Sequence, residues 1–141
     1  MELLEFLQEH ILIVTGIALC LFFLIEEEIS SYRMGRYRVD ADEVLNLKHK
    51  GAIIHDIRDR ESYQKGHIEG AKHSFSTLLQ DKPESILDKN KKHIIYCSTG
   101  AKSCEMAALL REKRGFDVYN LSGGLEAWQE AGFTLIKAKG K

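Results

Sequence analysis

The residues best suited to chemistry fall in one stretch, YCSTGAKS, where Cys97 is followed by Ser98, Thr99, Gly100, Ala101, Lys102 and Ser103. The stretch lies where an apolar run, HIIYC, hands over to a helical pattern. N–H groups of the loop and of the first helical turn therefore converge on its centre, which favours an anion. A thiolate is such an anion: placement at a helix N-terminus and the nearby Lys102 both lower the Cys97 pKa and make it a competent nucleophile. Gly100 lets the backbone curl, and the small side chains of Ser98, Thr99 and Ala101 leave the N–H groups accessible. Ser103 reads as the N-cap, its hydroxyl available to the anion. The competing reading of Cys97 is a small buried hydrophobe at a strand end. A zinc site from His93, Cys97 and Cys104 lacks recognisable ligand spacing. Cys104 on the following helix is read as packing, with a resolving role as the alternative.

The elements that must position this loop alternate strand and helix from Val39 onward, the pattern of an α/β domain with a largely parallel sheet. Asp40 and Glu43 form a capping-box start for a helix to about Lys50, stopped by Gly51. The spacing predicts strands at 52–57, 71–75, 93–97 and 117–121. Helices are predicted from Asp59 to Gly66, from Pro83 to about residue 89, from Ser103 to Arg114, and over LEAWQEAG after the Gly123-Gly124 turn. Trp128 and the other apolar helix residues are assigned to the core.

With 141 residues, 44% of them hydrophobic, the chain is long enough for one domain with a real core. Its net charge of −1, without a basic block or aromatic-interleaved stripe, argues against nucleic acid as a partner. Three cysteines without a CxxC pair suit a reducing compartment better than a disulfide framework. Hydrophobicity is concentrated at the start: Ile11 to Ile25 carries no charge, and Leu3, Leu4, Phe6 and Leu7 extend it. The expectation is one uncleaved membrane-anchor helix over residues 1–25, spanning from Leu3 to Ile25, then a polar connector over 26–38 and the folded domain over 39–141. Arg33, Arg36 and Arg38 follow the apolar segment and no Lys or Arg precedes it, which places the domain in the cytoplasm as a single-pass inner-membrane protein. The alternative is a buried helix of the globular domain.

Three stretches in the right order resemble the rhodanese family. IIHDIRDRESYQKGHIEGA (53–71) is similar to its signature, YCSTGAKS to its active-site loop, and GFDVYNLSGGLEAWQEAGF (115–133) to its closing segment. The resemblance covers roughly 38–137, and the preceding anchor resembles that of single-domain, membrane-tethered bacterial members. It implies a three-layer α/β domain and sulfur transfer in two covalent steps without cofactor or metal. In the first, the Cys97 thiolate takes the sulfane sulfur of a small anionic donor such as thiosulfate. A thiol or protein acceptor then removes it from the Cys97 persulfide, while the loop N–H groups and Lys102 stabilise the anions.

Asp56, Arg58 and His67 belong to the signature, implying a structural tie, with Arg58 a further candidate for holding the donor. Lys102 stands where many members have Arg, Ser98 where some have a basic residue, and His73-Ser74-Phe75 replaces an Asn-Ile-Pro-like ending. His55 is assigned no catalytic part. Related cysteine phosphatases have five residues between Cys and Arg; here four separate Cys97 from Lys102, a ring too short for phosphate. A catalytically idle binding module that tethers a partner at the membrane is the reading from a different class.

Overall fold

The computed structural model describes residues 2–139 and divides the chain into two compact units, Met1–Arg36 and Tyr37–Lys141. The first holds α1 (Glu2–Glu9) and α2 (Ile11–Gly35). The single helix expected over Leu3–Ile25 is thus two, bent by 83° where His10 leaves helical geometry with φ −113°. No single helix among the described residues is long and apolar enough to cross a membrane; α1 and α2 together meet the length and composition. The uncharged run Ile11–Ile25 gives only about 22 Å of helix against a hydrocarbon core of about 30 Å. The polar segment expected as a connector continues α2 to Gly35, because Glu26-Glu27-Glu28, Arg33 and Met34 are good helix formers even without an apolar stripe.

The second unit is built on a five-stranded sheet with every pairing parallel: β1 (Arg38–Val39), β2 (Ile53–Asp56), β3 (Lys72–His73), β4 (Lys92–Tyr96) and β5 (Asp117–Leu121), ordered β1-β5-β4-β2-β3. Central β4 is buried over His93–Tyr96, as a strand covered on both faces must be. On one face Ile54, Ile94, Tyr96 and Leu121 pack against α3 (Ala41–His49) and α7 (Gly124–Glu130) through Val44, Leu47, Leu125 and Trp128. On the other, Ile95 and Val118 pack against α5 (Ser76–Asp81) and α6 (Ala101–Glu112) through Leu79, Ala107 and Leu110. This is the three-layer α/β architecture expected. Each fully buried aliphatic side chain contributes about 1.5–3 kcal/mol, so the two clusters anchor the sheet that carries the Cys97 loop.

Local signals hold where side chains close them. Asp40 accepts the Glu43 N–H at 2.8 Å to start α3, and Asp59 accepts the Ser62 N–H at 2.8 Å to start α4 (Arg60–Lys65). Two differences stand out. The helix expected over 83–89 is a single 3-10 turn, Pro83–Ser85, and the helix of that region is instead α5. Ser103 is not the N-cap of α6: Gly100 is, with φ +89°, so the helix begins two residues earlier, at Ala101.

Between β2 and β4 lies a buried polar chain. Ser74 Oγ meets His55 Nδ1 at 2.8 Å, His55 Nε2 meets His93 Nδ1 at 3.0 Å, and His93 Nε2 lies 2.9 Å from the Asp88 carbonyl oxygen. Neither ring is more than 1% exposed. Burial first, then the charges of His93 and Lys72, push His55 from 6.5 down to about 3, and burial also lowers His93. The folded state thus binds fewer protons than the unfolded chain, and stability present above pH 6.5 is lost as the pH falls towards 3. We expect the unfolding midpoint to decline between pH 6.5 and 5, with His55 contributing up to about 1.4 kcal/mol per pH unit. Thermal unfolding across that range checks this, and a flat profile would contradict it.

Candidate active site

Cys97 directly follows β4, and Ala101 opens α6, so Ser98, Thr99 and Gly100 make the whole turn between them. Within it the Gly100 N–H donates to Cys97 Sγ at 3.1 Å and the Ser103 hydroxyl donates to the same sulfur at 3.4 Å. Burial pushes the thiol pKa up. Hydrogen bonds from the Ser103 hydroxyl and from the Ser103, Gly100 and Thr99 N–H groups outweigh burial, and the net shift is downward. The largest causes of the lowering are thus the Ser103 hydroxyl and the N–H groups at the start of α6. Lys102 sits exposed on the rim of the cavity into which Cys97 opens. That cavity, about 570 Å³, has Ser98, Thr99, Ala101 and Lys102 on one side and Arg58 and Phe75 on the other.

The loop keeps this shape because α7 holds it from behind. The Leu125 N–H donates to the Cys97 carbonyl at 2.9 Å and the Glu126 N–H to the Ser98 carbonyl at 3.1 Å. The first donors of α7, which have no partner inside the helix, thus turn the loop carbonyls away from the sulfur. The approach requires glycine: a Cβ on Gly124, at φ +62°, would stand 2.5 Å from the Cys97 carbonyl oxygen and 2.6 Å from the Gly100 nitrogen. Sequence reasoning placed Gly123-Gly124 only as a turn. Its signal for a larger part was the pair itself, two adjacent glycines opening a helix.

On the β2 side Asp56, with 0% exposure, accepts from Arg58 Nε at 3.1 Å, Arg58 Nη2 at 2.7 Å and the Tyr96 hydroxyl at 2.8 Å. Burial and the Asp56 charge push the Tyr96 hydroxyl pKa far up, so it remains a donor. Arg58 Nη2 also donates to the Gly66 carbonyl at 2.6 Å. Arg58 thus lines the Cys97 cavity while its guanidinium is engaged along one edge, and it ties the β2 end to the loop before β3. His67 stacks on Tyr63 with ring centroids 3.9 Å apart, and its backbone bridges to Ile136.

The structure separates residues that sequence reading weighed together. Cys104 is buried with Arg38 Nη2 at 3.7 Å from its sulfur, and it lines another cavity, which shares Thr99 and Ala101 as walls with that of Cys97. His93 points into the His55 chain. His93, Cys97 and Cys104 therefore occupy three different surroundings. Behind the loop Asn120 Nδ2 donates to the Gly100 carbonyl at 3.4 Å.

Replacing Ser103 by Ala removes a hydrogen bond to the thiolate, and bonds to charged groups are worth about 1.5–3 kcal/mol. We expect the pH midpoint of Cys97 alkylation by iodoacetamide to move up in Ser103→Ala, with alkylation at pH 7 slowed roughly tenfold. Mass analysis of the peptide carrying Cys97 reads this directly. Coincident pH profiles would show that the hydroxyl does not support the thiolate.

The geometry meets three kinds of relative. Residues 40–131 match the family model described as "Rhodanese-like domain". The thiosulfate sulfurtransferase GlpE of Coxiella burnetii is 37% identical over 83 residues, 59% of this chain and 77% of that protein. The tRNA sulfurtransferase of Thermoplasma volcanium is 35% identical over 86 residues, 61% of this chain but 17% of that much longer protein. Among solved structures, the rhodanese-like domain of the Anabaena protein Alr3790 superposes with a TM-score of 0.63 at 30% identity, covering 72% of this chain and 80% of that one. With two thirds of its length under that family model, and with the parallel sheet and Cys97 loop in place, the chain belongs to the rhodanese-like domain family.

Proposed function

We propose that this protein is a rhodanese-type sulfurtransferase that carries sulfane sulfur as a persulfide on Cys97. The observation that supports it most is the sulfur itself: Cys97 Sγ receives the Gly100 N–H at 3.1 Å and the Ser103 hydroxyl at 3.4 Å at the edge of an open cavity. In the loading step the thiolate attacks the outer sulfur of thiosulfate. A Cys97 Sγ–S bond forms, the donor S–S bond breaks, and its electron pair leaves on sulfite. In the second step a nucleophilic acceptor attacks the outer persulfide sulfur, and the Cys97 thiolate departs. Every species is anionic at the sulfur that changes partner, which suits a ring of N–H and O–H donors. Lys102 on the rim adds a point charge for the incoming donor, and Arg58 adds the uncommitted edge of its guanidinium.

Intact-mass measurement of the full chain after incubation with thiosulfate tests this. A gain of one sulfur atom, absent in Cys97→Ser, is expected. No adduct with any sulfane donor would instead favour an idle binding module.

We further propose that the first unit holds the domain at a membrane. What supports this is the lack of any buried residue along α2, where Leu12 is 84% and Phe23 68% exposed: a helical stretch such as Ile11–Ile25, apolar on all sides, needs an apolar solvent. Arg33, Arg36 and Arg38 on the domain side of the apolar run favour a cytoplasmic domain. The protein is expected in the carbonate-washed membrane pellet, and recovery in the soluble fraction would refute the tether.

A further inference from the structure

The Cys104 thiol and the Asn120 amide lie outside the chemistry assigned to Cys97. Both line a cavity of about 220 Å³ behind the loop, whose walls also include Arg38, Thr99, Ala101 and Ser122. Asn120 is 2% exposed, and its Oδ1 is the one buried side-chain oxygen or nitrogen without a hydrogen-bond partner among the described residues. The amide cannot turn over to cure this, because its Nδ2 donates to the Gly100 carbonyl at 3.4 Å. A buried acceptor left unmatched is costly, and folded proteins nearly always supply it with a donor. Arg38 reaches the same cavity from an exposed position, its Nη2 3.7 Å from the Cys104 sulfur. Sulfur is a weak acceptor, so the guanidinium keeps its capacity for an anion.

We propose that this rear cavity is a binding site for a small oxyanion that keeps one proton, of the class of hydrogen phosphate. Arg38 takes the charged oxygens, and Asn120 Oδ1 accepts the remaining O–H. Thr99 and Ser122 bring hydroxyl-bearing side chains to the same walls. The proton is what the site selects. Sulfate is similar in size and shape but offers no donor, and neither does the phosphodiester of a lipid headgroup, so both leave Oδ1 unmatched. The site also bears on the loop. The Gly100 carbonyl accepts the Cys104 N–H at 3.0 Å as well as Asn120 Nδ2, and the Gly100 N–H holds Cys97 Sγ at 3.1 Å. Thr99 and Ala101 wall both cavities, so an anion bound behind them opposes the Cys97 thiolate across a single turn of backbone.

The test titrates the full chain in detergent micelles with inorganic phosphate, sulfate and dimethyl phosphate at matched ionic strength, followed by calorimetry. Phosphate is expected to bind saturably, about tenfold or more tightly than sulfate or dimethyl phosphate. Cys97→Ser should bind it as well as the wild type does. Arg38→Gln, at an exposed position, should weaken phosphate about tenfold, and Asn120→Leu should abolish its preference over sulfate. The side-chain amide signals of Asn120 in the isotope-labelled wild type should shift with phosphate and not with sulfate, a readout that does not depend on how well Asn120→Leu folds. Phosphate should also slow alkylation of Cys97 by iodoacetamide in the wild type and leave it unchanged in Arg38→Gln. Equal affinity for phosphate and sulfate would overturn the site. So would phosphate binding and slowing of Cys97 that survive in Arg38→Gln, since the anion then occupies the Cys97 cavity. The site does not rest on sulfur transfer, and failure of thiosulfate to load Cys97 would leave it standing.

Discussion

The arrangement around Cys97 depends on the N-terminus of α7. Two N–H groups that α7 cannot satisfy internally, those of Leu125 and Glu126, take the carbonyls of Cys97 and Ser98. Once those oxygens face α7, the Gly100 N–H is free to turn toward the sulfur. The exchange works only at backbone contact distance, which is why Gly100, Gly123 and Gly124 all have positive φ and why a Cβ on Gly124 would sit within 2.7 Å of three loop atoms. A helix end short of acceptors and a loop that must hide its carbonyls solve each other's problem.

The strand that delivers Cys97 is fixed from its other side. Tyr96, the last residue of β4, donates its hydroxyl to Asp56, and Asp56 in turn holds Arg58. A buried carboxylate without such donors would be costly, so the Asp56, Arg58 and Tyr96 set must form together with the sheet. The same logic governs the His55–His93 chain on the opposite face, where each ring satisfies the other as long as neither takes a second proton. Polar groups in the core thus lock β2 to β4 on both faces, and the Cys97 loop inherits that rigidity.

Much of the fold was legible in sequence because its signals are local. Ile53–Asp56 and Lys92–Tyr96 each carry a pair of isoleucines, Asp117–Leu121 sets Val118, Tyr119 and Leu121 between turn signals, and Asp40 and Asp59 start their helices through caps only three residues long. The elements that escaped have weak local signals. Of α5 only Leu79 is buried, so Ser76–Asp81 shows no helical stripe, and Pro83 marks a start without the residues to propagate a helix. Ser103 looked like a cap because it is a serine near a helix start. Gly100, at φ +89°, takes that place, since a side chain there would meet the Gly123 and Gly124 nitrogens.

By itself the sequence determined the α/β class, the place of Cys97 at the head of a strand-to-helix loop and the four-residue spacing to Lys102, all of which follow from residue type and separation along the chain. Tertiary structure decided what lowers the Cys97 pKa, because the donors that reach the sulfur depend on where α7 holds the loop. It also put Cys104 onto a different cavity from Cys97 and engaged one edge of Arg58 with Asp56 and Gly66. These are properties of direction and distance between segments far apart in sequence, and spacing along one chain does not encode direction in space.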